Sequence, residues 1–293
     1  MSQRSSEHSP TCAKRKARKR FLCTRGDNMK VTARELVRNV VKEKLARDEV
    51  ALSMTVRLVR TAEIVTIAKT AGFDTFYIDL EHSTLSMETT SQICISAMNA
   101  GIAPFVRLPN LTSDVIARIL DGGALGVIAP HVETAEQARQ VVRAAKFPPL
   151  GERSHGGVLP HMGFRSFPTS EVGEAVNDAT MVVIMIETKE ALDVIDEIAA
   201  IEGVDLLFIG TNDLCASLGI AGQFEHESVR DAYTKGIAAC RKHGKHLGVG
   251  GLNAHPNLVA QFVEMGARYV STGTDISFLV SGASAKAAMM RDL

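Results

Sequence analysis

The sequence predicts a (β/α)8 barrel, and three observations lead to this fold. Eight short apolar runs alternate with amphipathic segments of helical length over about 250 residues, the size of a barrel built from eight strand–helix units. The chain has 293 residues, 45% of them hydrophobic and 23% charged, which is an ordinary globular composition. No break in composition divides residues 29–293, so we expect a single barrel domain there.

The predicted strands are apolar runs at residues 51–58, 75–80, 104–108, 126–132, 181–186, 206–209, 246–250 and 269–272. Such near-continuous apolar runs are typical of parallel strands that are buried on both faces. The predicted helices lie between them, at residues 61–71, 87–100, 113–121, 135–145, 189–199, 227–243 and 257–265. A further helix over residues 31–46 is expected to lie across the bottom of the barrel, and the last helix begins near Ile276.

Two details of this pattern bear on the fold and on function. Residues 147–178 form the longest irregular stretch, rich in Gly, Pro, Ser and His, and long loops of this kind are often functional. A doubly wound open sheet is the alternative fold. It needs a glycine-rich phosphate-binding turn after its first strand, and Arg57-Leu-Val-Arg60 is not such a turn. We therefore favour the barrel.

The charge of the chain is unevenly distributed. Residues 1–28 carry eight Lys or Arg and two acidic residues, which leaves 25 basic and 31 acidic residues in 29–293, a net charge of −6. A mildly acidic body does not favour a nucleic-acid-binding core. The basic segment could bind phosphates or act as a localisation signal. We interpret residues 1–28 as a disordered leader, or as sequence upstream of a start at Met29, because helical periodicity begins only after that residue.

Apolar runs and cysteines indicate the compartment. No run approaches the roughly 18 residues that a membrane span needs, and the N-terminus has no hydrophobic stretch of the secretory type. The five cysteines are odd in number, scattered and without a C-x-x-C pair. This pattern favours reduced thiols and a cytoplasmic location, and it disfavours a thiolate zinc site.

Acidic residues follow two of the predicted strands. Glu187 ends the apolar run Met181-Val-Val-Ile-Met-Ile186, and Asp213 follows Leu206-Leu-Phe-Ile209-Gly-Thr-Asn. Either could cap the helix after it, because acids stabilise helix N-termini. Two such residues at neighbouring strand ends, where barrel enzymes place their chemistry, favour ligands of one divalent cation. Mg²⁺ is the expected ion, and Mn²⁺ or Co²⁺ would suit the same oxygen ligands.

Other polar residues follow the second and third strands. Asp79 and His82 are three positions apart, so the carboxylate could fix the tautomer of the imidazole and make an acid–base dyad. Arg107 could pair structurally with Asp79 or Glu81, or it could hold a substrate carboxylate and stabilise a developing oxyanion. Asp121 ends a predicted helix, where an acid is unfavourable, and is either a surface residue or part of a subunit contact.

The absence of some residues narrows the chemistry. No lysine lies at a predicted strand end, which disfavours a Schiff-base aldolase, and no G-x-S-x-G or Walker A sequence is present. His131, His155 and His161 are interpreted as polar loop residues rather than ligands. Gly250-Gly251 and Ser271-Thr-Gly273 would allow a ligand to approach the backbone closely.

Five motifs resemble those of the HpcH/HpaI aldolase family, the class II, metal-dependent pyruvate aldolases. In chain order they are Ile78-Asp-Leu-Glu-His82, Val106-Arg-Leu-Pro109, Phe147-Pro-Pro-Leu-Gly-Glu-Arg153, Ile186-Glu-Thr188 and Phe208-Ile-Gly-Thr-Asn-Asp-Leu214. The resemblance begins near Ala51 and continues to the C-terminus. It implies a TIM barrel whose last helix is exchanged between the partners of a dimer, often within a hexamer.

The resemblance also implies roles for single residues. Glu187 and Asp213 would bind the cation, Arg107 would stabilise the pyruvate enolate, and His82, oriented by Asp79, would act as acid and base together with water. Asp121 would reach the active site of a neighbouring subunit.

The expected reaction is the reversible cleavage of a small 4-hydroxy-2-oxo acid to pyruvate and an aldehyde. Backbone amides in the segment Gly210-Thr211-Asn212-Asp213 would help to hold the substrate carboxylate. Two alternatives stay open. One is an oxaloacetate decarboxylase or a citrate- or malyl-type lyase that uses the same enolate site. The other is a non-catalytic barrel with a nucleic-acid-binding basic tail.

Overall fold

The computed structural model describes residues 31–291 and 293, without the side chain of residue 272. Eight parallel strands close into a barrel in the order of the chain, and β8 pairs with β1. This confirms the predicted fold. The strands are β1 (Ala51–Val56), β2 (Thr75–Asp79), β3 (Ala103–Arg107), β4 (Gly126–Ala129), β5 (Met181–Ile186), β6 (Leu206–Gly210), β7 (His246–Gly250) and β8 (Tyr269–Thr274). The predicted basic segment 1–28 lies outside the described residues.

Helices connect the strands and surround the barrel. In chain order they are α1 (Ala33–Leu36), α2 (Val40–Ala46), α3 (Glu63–Thr70), α4 (Met87–Ala100), α5 (Ser113–Asp121), α6 (Ala135–Ala145), α7 (Thr169–Ala179), α8 (Lys189–Asp193), α9 (Ile195–Ala199), α10 (Thr211–Ser217), α11 (Glu227–Lys242), α12 (Pro256–Met265) and α13 (Asp275–Arg291). The predicted helices at 87–100, 113–121 and 135–145 have the predicted bounds. The predicted helix at 189–199 is divided into α8 and α9 at Val194.

Aromatic side chains fill the interior of the barrel. The ring of Tyr269 is stacked with that of Phe105 at 6.1 Å and meets that of Phe208 edge-on at 5.5 Å. Glycines on neighbouring strands leave room for these rings. A Cβ atom at Gly126 would lie 2.9 Å from the ring of Phe105, and one at Gly250 would lie 2.6 Å from that of Phe208. The packed interior therefore supports the polar groups above it.

The N-terminal helices lie across the lower end of the barrel, as predicted, but they form two helices rather than one. The break falls between Leu36 and Val40, where Asn39 caps α2. The Oδ1 atom of Asn39 accepts hydrogen bonds from the backbone N–H groups of Val41 and Lys42. Its Nδ2 atom donates to the carbonyl oxygens of Leu125 and Ala179, which precede β4 and β5. One buried amide thus ties α2 to the barrel.

The stretch 147–178 is more regular than the sequence prediction. It contains a 3₁₀ turn at Pro160–Met162 and most of α7, and it covers the lower end of the barrel rather than the end where the strands finish. The helix was missed because its buried face is made of small and β-branched residues among polar ones: Val172, Ala175, Val176 and Ala179. Their spacing is nonetheless that of one helix face.

The last helix, α13, carries many exposed apolar side chains. Among them are Ile276, Phe278, Leu279, Val280, Met289 and Met290. Near its start the ring of Phe278 lies 6.1 Å from that of Phe73. No helix among the described residues is long and apolar enough to cross a membrane.

Candidate active site

Three charged side chains form a row at the mouth of the barrel, where β1, β2 and β3 end. Inward-facing residues alternate along each strand, and the register pairs Thr55 with Tyr77 and Asp79 with Arg107. One step further along β1 places Arg57 beside Asp79. The register of the sheet therefore makes neighbours of Arg57, Asp79 and Arg107.

The central group of this row is the fully buried carboxylate of Asp79. Arg107 donates two hydrogen bonds to it, from Nε to Oδ1 at 2.9 Å and from Nη2 to Oδ2 at 2.6 Å. The Nε atom of Arg57 also donates to Oδ2, at 2.5 Å. Burial opposes ionisation of Asp79, but the hydrogen bonds and charge of Arg107, together with the charge of Arg57, outweigh it. The pKa of this carboxyl therefore lies below its usual range.

His82 meets Asp79 through its backbone rather than its ring. The N–H of His82 donates to Asp79 Oδ1 at 3.2 Å. The ring is about half exposed, and its Nε2 atom lies 3.8 Å from Oε1 of Glu81, beyond hydrogen-bonding distance. The predicted dyad between Asp79 and the imidazole is therefore not formed, because Asp79 contacts the backbone of His82 instead of its ring. The carboxylate is already engaged by the two guanidinium groups.

Glu187 lies at the end of β5 with its side chain almost fully buried. It is not the cap of the next helix, because Thr188 fills that position and its Oγ1 accepts from the N–H of Ala191. Burial raises the pKa of Glu187, and the negative charges of Glu81 and Asp213 add to this effect, although the N–H of His131 opposes it. A positive charge near Glu187 would therefore favour the ionised form of this carboxyl.

Glycine at position 210 makes room for Glu187. The register pairs Ile186 with Ile209, so the next inward pair is Glu187 and Gly210. A Cβ atom on Gly210 would lie 3.1 Å from Oε2 of Glu187. Asp213 follows in the first turn of α10, with an exposed side chain that accepts no hydrogen bond from any described residue. The structure thus brings the predicted metal ligands to adjacent strand ends.

Thr211 uses its side chain within the fold. Its Oγ1 donates to the carbonyl oxygen of Gly250 at 2.6 Å and lies 2.7 Å from the hydroxyl of Tyr233. Only the backbone of Thr211 is therefore placed to meet a ligand. The amide groups of Thr211 and Asp213 lie in the first turn of α10, where helix N–H groups lack partners within the helix.

Two residues that the sequence prediction did not assign connect the two sides of this site. The N–H of His131 donates to Glu187 Oε1 at 2.6 Å, and its ring Nε2 lies 2.6 Å from Glu81 Oε1. Glu81 Oε2 in turn lies 2.9 Å from Nη1 of Arg107. His131 has a φ of 55°, in the left-handed region, which is unusual for a residue other than glycine and typical of constrained sites.

Asp121 lies away from these groups, at the end of α5 and therefore towards the lower end of the barrel. Its Oδ1 accepts from Nη2 of the buried Arg153 at 2.7 Å. The guanidinium of Arg153 stacks over the ring of Phe147 at 4.5 Å. Within one chain, then, Asp121 does not belong to the mouth of the barrel.

Comparison with known proteins identifies the family. A model described as HpcH/HpaI aldolase/citrate lyase matches residues 59–281. The chain belongs to this family. A 4-hydroxy-4-methyl-2-oxoglutarate aldolase, tasA, of Hapsidospora irregularis is 41% identical over 248 residues, 84% of this chain and 92% of that protein. A 2-keto-3-deoxy-L-rhamnonate aldolase of Escherichia coli K12 is 33% identical over 87% of this chain and 94% of that one.

A solved structure agrees with this assignment to the HpcH/HpaI family. The HpcH/HpaI aldolase from Desulfitobacterium hafniense DCB-2 superposes with a TM-score of 0.80 at 33% identity, covering 86% of this chain and 96% of that one. The predicted resemblance is confirmed, and so is the prediction of an enzyme of the carbon–carbon lyase class.

The mouth of the barrel fits a divalent cation that keeps part of its water shell. Within residues 31–291 no group of three or more His, Cys, Asp or Glu is placed to hold a metal ion by itself. Mg²⁺, however, commonly binds through only one or two carboxylates and leaves other positions to water or substrate. Glu187 and Asp213 provide two, and a cation beside Glu187 would offset the burial and the neighbouring negative charges that raise the pKa of this carboxyl.

Proposed function

We propose that the protein is a divalent-metal-dependent aldolase that reversibly cleaves a 4-hydroxy-2-oxo acid to pyruvate and an aldehyde. One observation carries this proposal: the paired carboxylates of Glu187 and Asp213 share the barrel mouth with the buried guanidinium of Arg107. The names of the two aldolase relatives support the substrate class, because both denote a 2-oxo acid with a hydroxyl group on C4.

Glu187 and Asp213 would hold the cation, with Mg²⁺ preferred and Mn²⁺ or Co²⁺ as alternatives. The bound cation supplies a Lewis acid that polarises the 2-oxo group of the substrate. His131 keeps Glu187 in place through its backbone N–H, and Gly210 leaves the space that the carboxylate fills. The backbone amides of Gly210, Thr211 and Asp213 would help to orient the substrate carboxylate.

Arg107 would offset the negative charge that develops on the C2 oxygen when the C3–C4 bond breaks. Asp79 keeps the guanidinium in one orientation through the two-bond fork, so this charge is already in place before the reaction. His82 would take the proton of the C4 hydroxyl group through a water molecule. Asp79 would position His82 by its backbone N–H, not by its ring.

A second subunit would complete the enzyme. The exposed apolar side chains of α13 support packing of this helix against another copy of the chain, in a dimer or a larger dimer-based assembly such as a hexamer. In that assembly Asp121 would reach the active site of a neighbouring subunit. A cytoplasmic location is also proposed, since Cys94, Cys215 and Cys240 are free thiols.

The test is to replace the metal ligand and measure binding and turnover separately. The change Glu187→Gln should weaken Mn²⁺ binding by at least roughly tenfold and reduce pyruvate release by at least roughly 10²-fold, while circular dichroism stays unchanged. The exposed Glu190, in the first turn of α8, gives the control Glu190→Gln. Normal metal binding and turnover in Glu187→Gln would refute the assignment.

A further inference from the structure

Arg57 is an inward-facing arginine that the proposed reaction does not use. Its position continues the inward series Ser53 and Thr55 of β1, and its side chain remains about one-third exposed at the mouth of the barrel. The loop that follows is fixed by the buried Asp275. The two carboxylate oxygens of Asp275 accept hydrogen bonds from the backbone N–H groups of Arg57, Leu58 and Val59 at 2.8–3.0 Å. These hydrogen bonds hold the backbone that carries the Arg57 side chain in place.

The guanidinium of Arg57 has N–H donors that have no acceptor among the described residues. Its Nε atom donates to Asp79, but its two Nη atoms donate to no residue in the described part of the chain. Arg107 differs, because its Nε and Nη2 atoms bind Asp79, its Nη1 atom faces Glu81, and its side chain is only 5% exposed. Of these two arginines, Arg57 is the one with a free pair of donors that can grip a planar anion.

Charge divides the mouth into two sides. On the side of β1–β3, the positive charges of Arg57 and Arg107 balance the negative charges of Asp79 and Glu81. On the opposite side, Glu187 and Asp213 add two negative charges, where a divalent cation fits. In the closed order of strands, β1 lies across the barrel from β5. A substrate whose 2-oxo acid end is held near β5 and β6 would thus direct its far end towards Arg57.

We infer that Arg57 is a specificity-determining residue that binds a second carboxylate attached on the C4 side of the substrate. This inference rests on the proposed aldolase function. In the cleavage, the C4 hydroxyl loses its proton, the C3–C4 bond breaks, and C4 becomes the carbonyl carbon of a product that keeps the second carboxylate. The electron pair of that bond stays with C3, which then takes a proton to complete pyruvate.

The experiment compares two probes that differ at one position. 4-Hydroxy-2-oxopentanedioate carries a carboxylate on C4, and 4-hydroxy-2-oxopentanoate carries a methyl group there. With the full chain and Mg²⁺, the wild type should prefer the dioate in kcat/KM by roughly 10²-fold. The change Arg57→Leu should remove this preference, mainly by raising KM for the dioate, so that kcat/KM falls far more for the dioate than for the pentanoate. Arg57→Lys should keep part of the preference.

A control and a second measurement make the outcomes distinct. Arg60 lies in the same loop but donates to the hydroxyl and carbonyl oxygens of Thr84, so Arg60→Leu should leave the preference intact. Equal losses on both probes in Arg57→Leu would overturn the inference and leave Arg57 only a support for Asp79. Equal use of both probes by the wild type would also overturn it while the proposed function stands. Release of pyruvate from neither probe would reject the proposed function itself.

Should Arg57→Leu fail to fold, inhibition of the wild type decides the question. The unreactive acids 2-oxopentanedioate and 2-oxopentanoate lack the C4 hydroxyl and differ only in the second carboxylate. The dioate should inhibit at least roughly tenfold more tightly. Equal inhibition constants would overturn the inference without any variant.

Discussion

The guanidinium of Arg107 and the carboxylate of Asp79 form a two-bond fork at the mouth of the barrel, with side chains that are 5% and 0% exposed. Neither charge could be buried there alone, because desolvating an isolated ion costs several kcal/mol. The pair is therefore a structural unit that holds the Arg107 guanidinium in one orientation. Removing one partner should affect stability and catalysis together, and the two effects can be measured apart.

The first prediction concerns Arg107→Lys. Lysine keeps the charge but cannot reproduce the fork, so Asp79 loses one of its two bonds to this position. We expect kcat/KM for pyruvate release to fall by roughly 10²-fold or more, and the free energy of unfolding to fall by about 2–4 kcal/mol. A coupled pyruvate assay and urea denaturation measure the two quantities.

The matched control for this change is Arg143→Lys. Arg143 pairs with Glu136 at 3.0 Å, but both side chains are about half exposed. Exposed pairs contribute about 1 kcal/mol or less, so this variant should resemble the wild type in both assays. A wild-type rate in Arg107→Lys would contradict the role assigned to the fork.

The sequence located the mouth of the barrel because apolar runs mark the strands and polar residues mark their ends. Glu187, Asp213, Asp79 and Arg107 are therefore found where the pattern indicated. Which side chains touch depends on strand register, which a single apolar run does not specify. The pairing of Arg107 with Asp79 was one of the stated possibilities, but the second contact of this carboxylate, with Arg57, was missed for this reason.

His131 was interpreted as a polar loop residue, and Glu81 was considered only as a partner of Arg107, for a related reason. Their contacts cross from β2 to β4 and from β4 to β5, and depend on a left-handed backbone conformation at His131. No local motif indicates such a conformation in a residue other than glycine. The sequence did contain enough information to place Arg57 at the mouth. This residue directly follows β1 and, being two positions after Thr55, faces inward as Ser53 and Thr55 do.

The second prediction tests the space over Gly210. This residue has a φ of −83°, which alanine can adopt, so Gly210→Ala adds a methyl group without backbone strain. That methyl would lie 3.1 Å from both Glu187 Oε2 and Met185 Cε, and Glu187 must move by a few tenths of an ångström. We expect Mn²⁺ binding to weaken by roughly tenfold, with a change of less than about 1 kcal/mol in unfolding free energy.

Isothermal titration with Mn²⁺ and urea denaturation check this prediction. Gly282 in α13 provides the control, because a Cβ atom there would meet no atom within 4 Å. Gly282→Ala should leave metal binding unchanged. Unchanged binding in Gly210→Ala would mean that the position of Glu187 is less critical than the proposed site requires.

The third prediction concerns the exposed apolar face of α13. Leu279 and Val280 are 61% and 58% exposed, which is unfavourable unless another surface covers them. The double change Leu279→Glu and Val280→Glu should therefore convert an oligomer to monomers in light scattering coupled to gel filtration. Thr234→Glu, on the exposed side of α11, is the control for added charge. An unchanged mass in the double variant would exclude these side chains from the subunit contact.

The last prediction is a loss of stability in acid that originates at His161, at the lower end of the barrel. Its Nε2–H donates to the carbonyl oxygen of Ala124 at 3.1 Å, and no described residue pairs with its Nδ1. Burial, with a contribution from the charge of Arg153, lowers the pKa of His161 from 6.5 to about 4. The folded state therefore favours the neutral ring, a contribution present in full above pH 6.5 and lost as pH falls towards 4, worth about 3 kcal/mol.

Urea denaturation at a series of pH values measures this loss. His161→Gln keeps a donor for Ala124 and cannot be protonated, so its unfolding free energy should fall less between pH 6.5 and 4 than that of the wild type. The exposed His155, in the same segment, gives the control His155→Gln, which should keep the wild-type slope. If His161→Gln loses stability as steeply as the wild type, the acid sensitivity arises elsewhere, and the buried ring is not its source.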